Sequence, residues 1–342
     1  MSRQMRMWSM AAAMFALGIL GFSRPAHRQT ENPQSIEIGV ALTPAHFPKH
    51  SPEDIREMFT LGKEVGKYSI FIYQWSQSDL VDVARSVVKM SRDAGLVPIV
   101  GISPTVLAGM RGDYDAPASV RAKMGRKKLS FADRNVHLPY IATVLELAKL
   151  KVPYLCLATE INMLAHANVK EYIYFAAVCK RLYPEIKKIS PDTKVFVSFQ
   201  WDIYSALDVK EPQKLKDHTN LIEIFRPELD LVAFTTYPSV QFRTPSDIPA
   251  DYYANISRHI KPSDEVIFME VGWPSVGKGS EATQLEFIGD LPRLLRPVHP
   301  RIVAWALLHD VTGVFGTDLG TTGLITTDGK RKPSFEALKR LR

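Results

Sequence analysis

Two glutamates, Glu160 and Glu270, each close an otherwise apolar run. Residues 266–270 (VIFME) are β-branched, aromatic or aliphatic up to the acid, and Gly272 and Pro274 then break the chain. Residues 154–160 (YLCLATE) have the same form. A carboxylate at the end of a buried strand is costly unless the fold uses it. Two such strands, each delivering one acid to a shared opening, would make a pair able to cleave a glycosidic bond. One carboxyl protonates the leaving oxygen. The other attacks C1, at a separation of about 5–5.5 Å, or activates water across about 6.5–9.5 Å. The proton donor needs surroundings that keep it protonated near neutral pH.

Such a pair requires parallel strands whose ends converge. The apolar runs predict strands at 36–44, 68–75, 96–103, 152–160, 194–200, 229–237, 265–270 and 301–309. Between and after them, helices are predicted at 52–66, 78–94, 136–150, 169–189 (kinked near Pro184), 211–225, 249–260, 281–295 and 333–341. Ser51-Pro52-Glu53-Asp54 gives the first helix a cap, a proline in its first turn and acids beside its positive end. The strands are nearly continuous apolar runs, as expected when both faces are covered. Eight βα units over residues 36–342 predict an α/β fold, a single (β/α)8 TIM barrel. An open doubly wound sheet is disfavoured because no glycine-rich phosphate loop follows the first strand.

In such a barrel the site lies at the C-terminal strand ends. Residues expected there are Trp75, Ser103, Glu160, Gln200, Trp201, Tyr237, Glu270, Trp305 and His309, with Trp273 just beyond. Indoles stack on sugar C–H faces, and amides and hydroxyls bond sugar hydroxyls, so the mixture suits a carbohydrate. Each has a plainer reading: tryptophans 75, 201, 273 and 305 as packing, Tyr237 as core, Gln200 as a partner for backbone groups. His309-Asp310 would, with Glu160, be the nucleus of a metal site in an unrelated barrel enzyme, but one histidine is weak support and a loop-structuring role is favoured.

The residues around both acids resemble glycoside hydrolase clan A. Glu270-Val-Gly-Trp-Pro-Ser275 is similar to the Glu-Thr-Gly-Trp-Pro-Ser nucleophile motif of β-1,3-glucanases and to the Glu-Thr-Gly-Tyr-Pro form of arabinogalactan endo-β-1,4-galactanases. Ala158-Thr159-Glu160-Ile161-Asn162 resembles the Gly-Asn-Glu-Ile/Val acid/base motif. The tail at 322–335 (TGLITTDGKRKPSF) is similar to the clan's ending. The resemblance implies a retaining β-glycosidase of poly- or oligosaccharides, with Glu160 as acid/base, Glu270 as nucleophile, Trp305 as sugar platform, Tyr237 beside the nucleophile and no cofactor or metal. Thr159 departs from the clan's asparagine, which holds the sugar 2-hydroxyl; Asn162 would have to compensate. The departure keeps a non-catalytic carbohydrate-binding barrel in play. A transglycosylase would use the same two glutamates.

Composition bounds the rest. The 342 residues carry a formal charge of +7, and Arg3, Arg6, Arg24 and Arg28 account for four of it. No nucleic-acid partner is indicated, since no basic-aromatic motif accompanies the remainder. Arg3 and Arg6 followed by an apolar stretch at 7–22 make residues 1–30 an expected signal peptide or N-terminal anchor. The protein is therefore expected to be exported, with a membrane tether as the alternative, and monomeric. Cys156 and Cys179 fall in a strand and a helix and imply no disulfide framework. A basic run, Arg121, Lys123, Arg126, Lys127 and Lys128, is either a solvated loop or a contact for an anionic glycan or surface.

Overall fold

A computed structural model of the protein describes residues 36–107, 111–204, 221–311, 313 and 315–342. The expected signal or anchor lies outside these residues, as does most of the helix expected at 211–225. Residues 35–342 form one compact unit.

The strands are β1 (Glu37–Ala41), β2 (Tyr68–Gln74), β3 (Val97–Ser103), β4 (Tyr154–Cys156), β5 (Lys194–Phe196), β6 (Ser198–Gln200), β7 (Val232–Thr236), β8 (Val266–Val271) and β9 (Ile302–Trp305). All pair in parallel, in the order β5-β4-β3-β2-β1-β9-β8-β7-β6. The two terminal segments flank Val197 in one stretch of chain, so the sheet closes on itself as a barrel of eight strand positions. The helices are α1 (Pro52–Val65), α2 (Leu80–Asp93), α3 (Ala118–Met124), α4 (Arg134–Ala148), α5 (Asn162–Ala167), α6 (Val169–Ile189), α7 (Trp201–Tyr204), α8 (Glu281–Leu295), α9 (Thr317–Gly320) and α10 (Pro333–Lys339). Ser51 caps α1 in a reciprocal box with Asp54. No described helix is long and apolar enough to cross a membrane.

Two apolar layers follow from strand alternation. Tyr68, Ile70, Ile99, Tyr154, Cys156, Phe196, Ala233, Ile267, Met269, Ile302 and Ala304 fill the barrel interior. The intervening residues, such as Phe71, Val100, Leu155, Phe234, Phe268 and Val303, pack against the helices. Each strand thus has a fixed parity, and that parity decides which end residues reach the barrel mouth.

Three expectations are corrected. The strand expected at 152–160 ends at Cys156, because the chain turns out of the ladder before Glu160. The helix expected at 249–260 is replaced by short 3-10 turns at Pro245–Asp247 and Ala254–Arg258. Of the helix expected at 211–225, the described part, Leu221–Phe225, is also a 3-10 turn.

Candidate active site

Glu160 and Glu270 line one cavity of about 320 Å³ together with Leu107, Arg111, Met163, Gln200, Ile203, Tyr237, Ser239, Val240, Pro274, Asp318, Leu319 and Thr322. The two acids are brought there by different backbone devices.

Glu270 sits on β8, where simple alternation would turn it toward the helices. Ala233 and Phe234 of β7 pair with Ile267 and Phe268, but Thr235 pairs with Glu270, so Met269 is an extra residue. This β-bulge resets the parity and aims Glu270 inward behind Met269. Tyr237, at the end of β7, donates its hydroxyl to Glu270 Oε2 at 2.8 Å. Gly272 makes that contact possible: a Cβ there would lie 2.6 Å from the Tyr237 ring. Burial, and then the charge of Glu160, push the Glu270 carboxyl up from the usual range, to about 7. Burial and the neighbouring acids hold the Tyr237 phenol well above its ordinary value, so it stays a donor.

Glu160 lies just past β4 with a left-handed backbone, φ 52°. That conformation costs a non-glycine residue about 1–3 kcal/mol and persists only where neighbours enforce it. Here they are Ser198, whose Oγ accepts from the Glu160 N–H at 3.0 Å and whose carbonyl accepts from Ile161 at 3.0 Å. The residue is 6% exposed, and each of its carboxyl oxygens has a partner. Thr235 Oγ1 donates to Oε1 at 2.7 Å, and an Arg111 nitrogen lies 2.8 Å from Oε2. Thr235 is also the register partner of Glu270, so one threonine ties the two acids into a single frame.

A second layer fixes Tyr237. Asp202 is fully buried and accepts from the Tyr237 N–H at 2.6 Å, Tyr252 at 2.6 Å, Thr236 at 3.1 Å and the Gln200 amide at 3.1 Å. Burial outweighs these donors and raises its carboxyl to about 6. Gln200 also caps Ile203 and lines the cavity. Asn162 is clasped both ways to the Gln200 backbone, at 3.0 and 2.8 Å, and is buried behind the wall. Thr159 is buried, and neither it nor Asn162 is among the cavity-lining residues.

The tryptophans expected as sugar platforms are elsewhere. With Ile302 and Ala304 facing inward, Trp305 faces the helices; its indole donates to Thr322 O at 2.6 Å and it is fully buried. Trp75 follows the outward Phe71 and Tyr73, and meets Tyr140 edge-on at 5.3 Å. Trp201 stacks on Tyr204, and Trp273 packs on Phe287 and donates to Thr283. No tryptophan is among the described residues lining the cavity, whose apolar wall is aliphatic apart from Tyr237. The sequence could not separate the faces of these strands, because both carry large apolar residues.

His309 and Asp310 are structural. The His309 ring contacts Thr43 O at 2.7 Å, and burial lowers its pKa. Asp310 pairs with the buried Lys332 at 2.7 Å, and Lys332 also donates to Ser275 Oγ and Gly323 O. The Lys-Pro of the tail thus ties the end of the Glu270 motif to the loop after β9. No group of three or more potential metal ligands occurs among the described residues. Sequence reasoning missed Arg111, Ser198, Thr235 and Asp202. Ser198, Thr235 and Asp202 carried a signal, being polar residues in or beside apolar strand ends; Arg111 carried none.

No protein-family model matches the chain, and no curated protein matches its sequence. Solved structures do match its fold. A GH5_18 protein from Bifidobacterium longum subsp. longum superposes with a TM-score of 0.68 at 16% identity, over 90% of this chain and 78% of that one. The exo-β-1,4-mannosidase Op5Man5 from an Opitutaceae bacterium gives 0.67 at 13% identity, over 89% and 58%. A fungal β-1,4-galactanase gives 0.59 at 14% identity, over 82% and 90%. In fold, the chain is a TIM barrel similar to those of the clan A glycoside hydrolases.

Proposed function

We propose that the protein is a retaining β-glycosidase acting on a poly- or oligosaccharide, with Glu270 as nucleophile and Glu160 as acid/base. The observation that carries this reading is the convergence of the two glutamates in one cavity at the C-terminal end of the barrel. Glu270 attacks C1 as the C1–O bond breaks, and Glu160 passes its proton to the leaving oxygen. Glu160 then takes a proton from water, which displaces Glu270 and restores the β configuration. Tyr237 holds one oxygen of Glu270, leaving the other for attack. An acceptor sugar in place of water would give transglycosylation by the same residues. Residues 1–30 fit export of the enzyme toward a glycan outside the cytoplasm.

The test is turnover of a β-glycoside panel by the native protein and by Glu270→Gln, with mass spectrometry for a sugar covalently held on Glu270. Undiminished turnover by Glu270→Gln would remove the assignment. A carbohydrate-binding barrel without catalysis is the second reading. Engagement of both Glu160 oxygens by Arg111 and Thr235 favours it, and calorimetric binding without turnover across the same panel would establish it.

A further inference from the structure

The Arg111–Glu160 pair conflicts with the role just given to Glu160. A general acid must point an O–H at the leaving oxygen. Thr235 occupies Oε1 and Arg111 occupies Oε2, and a guanidinium has donors only. The pair is well shielded, with 13% and 8% of the two side chains exposed, so it is not a loose surface contact. A cation on Oε2 opposes a proton on Glu160, so the acid is best presented once Arg111 has moved off Oε2. The attraction between a shielded guanidinium and a carboxylate is strong, and a neutral sugar offers nothing of equal strength to the guanidinium. A second anion does.

Three observations bear on where such an anion would come from. Arg111 is the only basic residue among the described residues lining the cavity. Its other polar contact among the described residues is a weak one, to Ser103 Oγ at 3.4 Å, so among those residues release from Glu160 leaves most of its donors free. Its surroundings continue in the same sign: the chain near it is joined by the Lys128–Asp113 pair and by Arg121, which donates to Tyr114 O, to the exposed basic run of α3 and the residues that follow. Within that run Lys123, Arg126 and Lys127 have no acidic partner among the described residues.

We propose that Arg111 recognises an acidic sugar, a uronate carboxylate or a sulfate ester, and that this anion draws the guanidinium off Glu160 and so frees the acid/base for catalysis. The inference rests on the glycosidase reading above and names the substrate class of that site. Arg111 exchanges one carboxylate for another anion, so the cavity gains a counter-charge as the substrate enters. With the guanidinium displaced, Glu160 takes up a proton, its like charge no longer opposes Glu270, and Glu270 is left free to ionise. A neutral glycan leaves the latch closed. The basic run would then follow the acidic units of a longer chain.

The experiment measures binding and turnover separately. Binding by calorimetry uses Glu270→Gln, with and without Arg111→Ala, against oligosaccharides of equal length that are neutral, uronate-containing or sulfated. Turnover uses paired aryl β-glycosides and their 6-carboxylates with native protein, Arg111→Ala and Arg111→Lys. An acidic ligand should bind about tenfold to a hundredfold more tightly than its neutral counterpart, and Arg111→Ala should erase that margin. Arg111→Lys, which keeps the charge and loses the fork, should retain part of it. Preference for the carboxylate over the sulfate, or the reverse, identifies the source of the anion. Equal or better binding of neutral ligands overturns the proposal, as does an Arg111→Ala loss that is the same for both classes. Turnover of neutral glycosides alone sinks this inference and leaves the glycosidase reading standing. Arg111-dependent binding of an acidic glycan without any turnover removes the glycosidase reading and the freeing of Glu160 for catalysis, and leaves only the recognition of the anion by Arg111.

Discussion

The ends of β4 and β8 present the same residue type to the same cavity and treat it in opposite ways. At β8 a bulge turns Glu270 inward, where the Tyr237 hydroxyl donates to it. At β4 a left-handed backbone carries Glu160 beyond the sheet, where Thr235 and Arg111 cover both oxygens. The difference shows that two chemically identical side chains are divided by donors and burial, not by residue type. As it stands, the division is that of the resting protein. Glu160 is met by a guanidinium and a hydroxyl donor and Glu270 is biased toward its neutral form, whereas the proposed reaction needs a proton on Glu160 and an ionised Glu270.

The strongest test of that asymmetry removes one acid at a time. Glu270→Gln should lower kcat/KM by about 10⁴-fold or more, since an amide at that position cannot form the glycosyl-enzyme bond. Glu160→Ala should lower it by about 10²- to 10⁴-fold for poor leaving groups. Azide should restore its rate on activated substrates by supplying a small nucleophile for the second step. If azide rescued Glu270→Gln with a β-product instead, the two roles would have to be exchanged.

Smaller changes address what holds each acid. Tyr237→Phe removes a donor that favours the Glu270 carboxylate, so the acid limb of kcat/KM should move to higher pH. Glu160→Gln removes the like charge that raises Glu270, so covalent labelling of Glu270 by a mechanism-based inactivator should persist to lower pH. Movement of these two limbs in the same direction would contradict the coupling between the acids.

Asp202→Asn should cost about 1–3 kcal/mol in denaturant unfolding near neutral pH, because the amide nitrogen must face a buried donor. The sign with pH follows from the raised carboxyl of Asp202. Its folded form holds its proton up to about pH 6, against an ordinary 3.8, so native stability falls as pH rises through that window. Asp202→Asn should lose that slope. Ser198→Ala, which leaves the Glu160 N–H without its side-chain acceptor, should have the smallest effect, about 1 kcal/mol.

Much of this organisation was legible in the residue order. Apolar runs of strand length, helix caps such as Ser51, and an acid closing two of the runs are local patterns, and local patterns need only neighbours in sequence. From them came the barrel and both glutamates. The tryptophans were misplaced because parity is a property of the closed sheet: Ile302 and Ala304 fill the interior, and Trp305 is thereby turned to α8. The bulge at Met269 inverts the same rule for Glu270, and only pairing with β7 reveals it.

The sequence by itself determined the alternation of strands and helices and the placing of one acid near each of two strand ends, since propensity and periodicity act over a few residues. Tertiary structure decided which side chains meet. It set the face of each tryptophan, the left-handed turn at Glu160, the clasp of Asp202 on Tyr237, and the arrival of Arg111 from a separate loop onto Glu160. Those contacts join residues far apart in the chain, and their strength depends on burial that exists only after the barrel has closed.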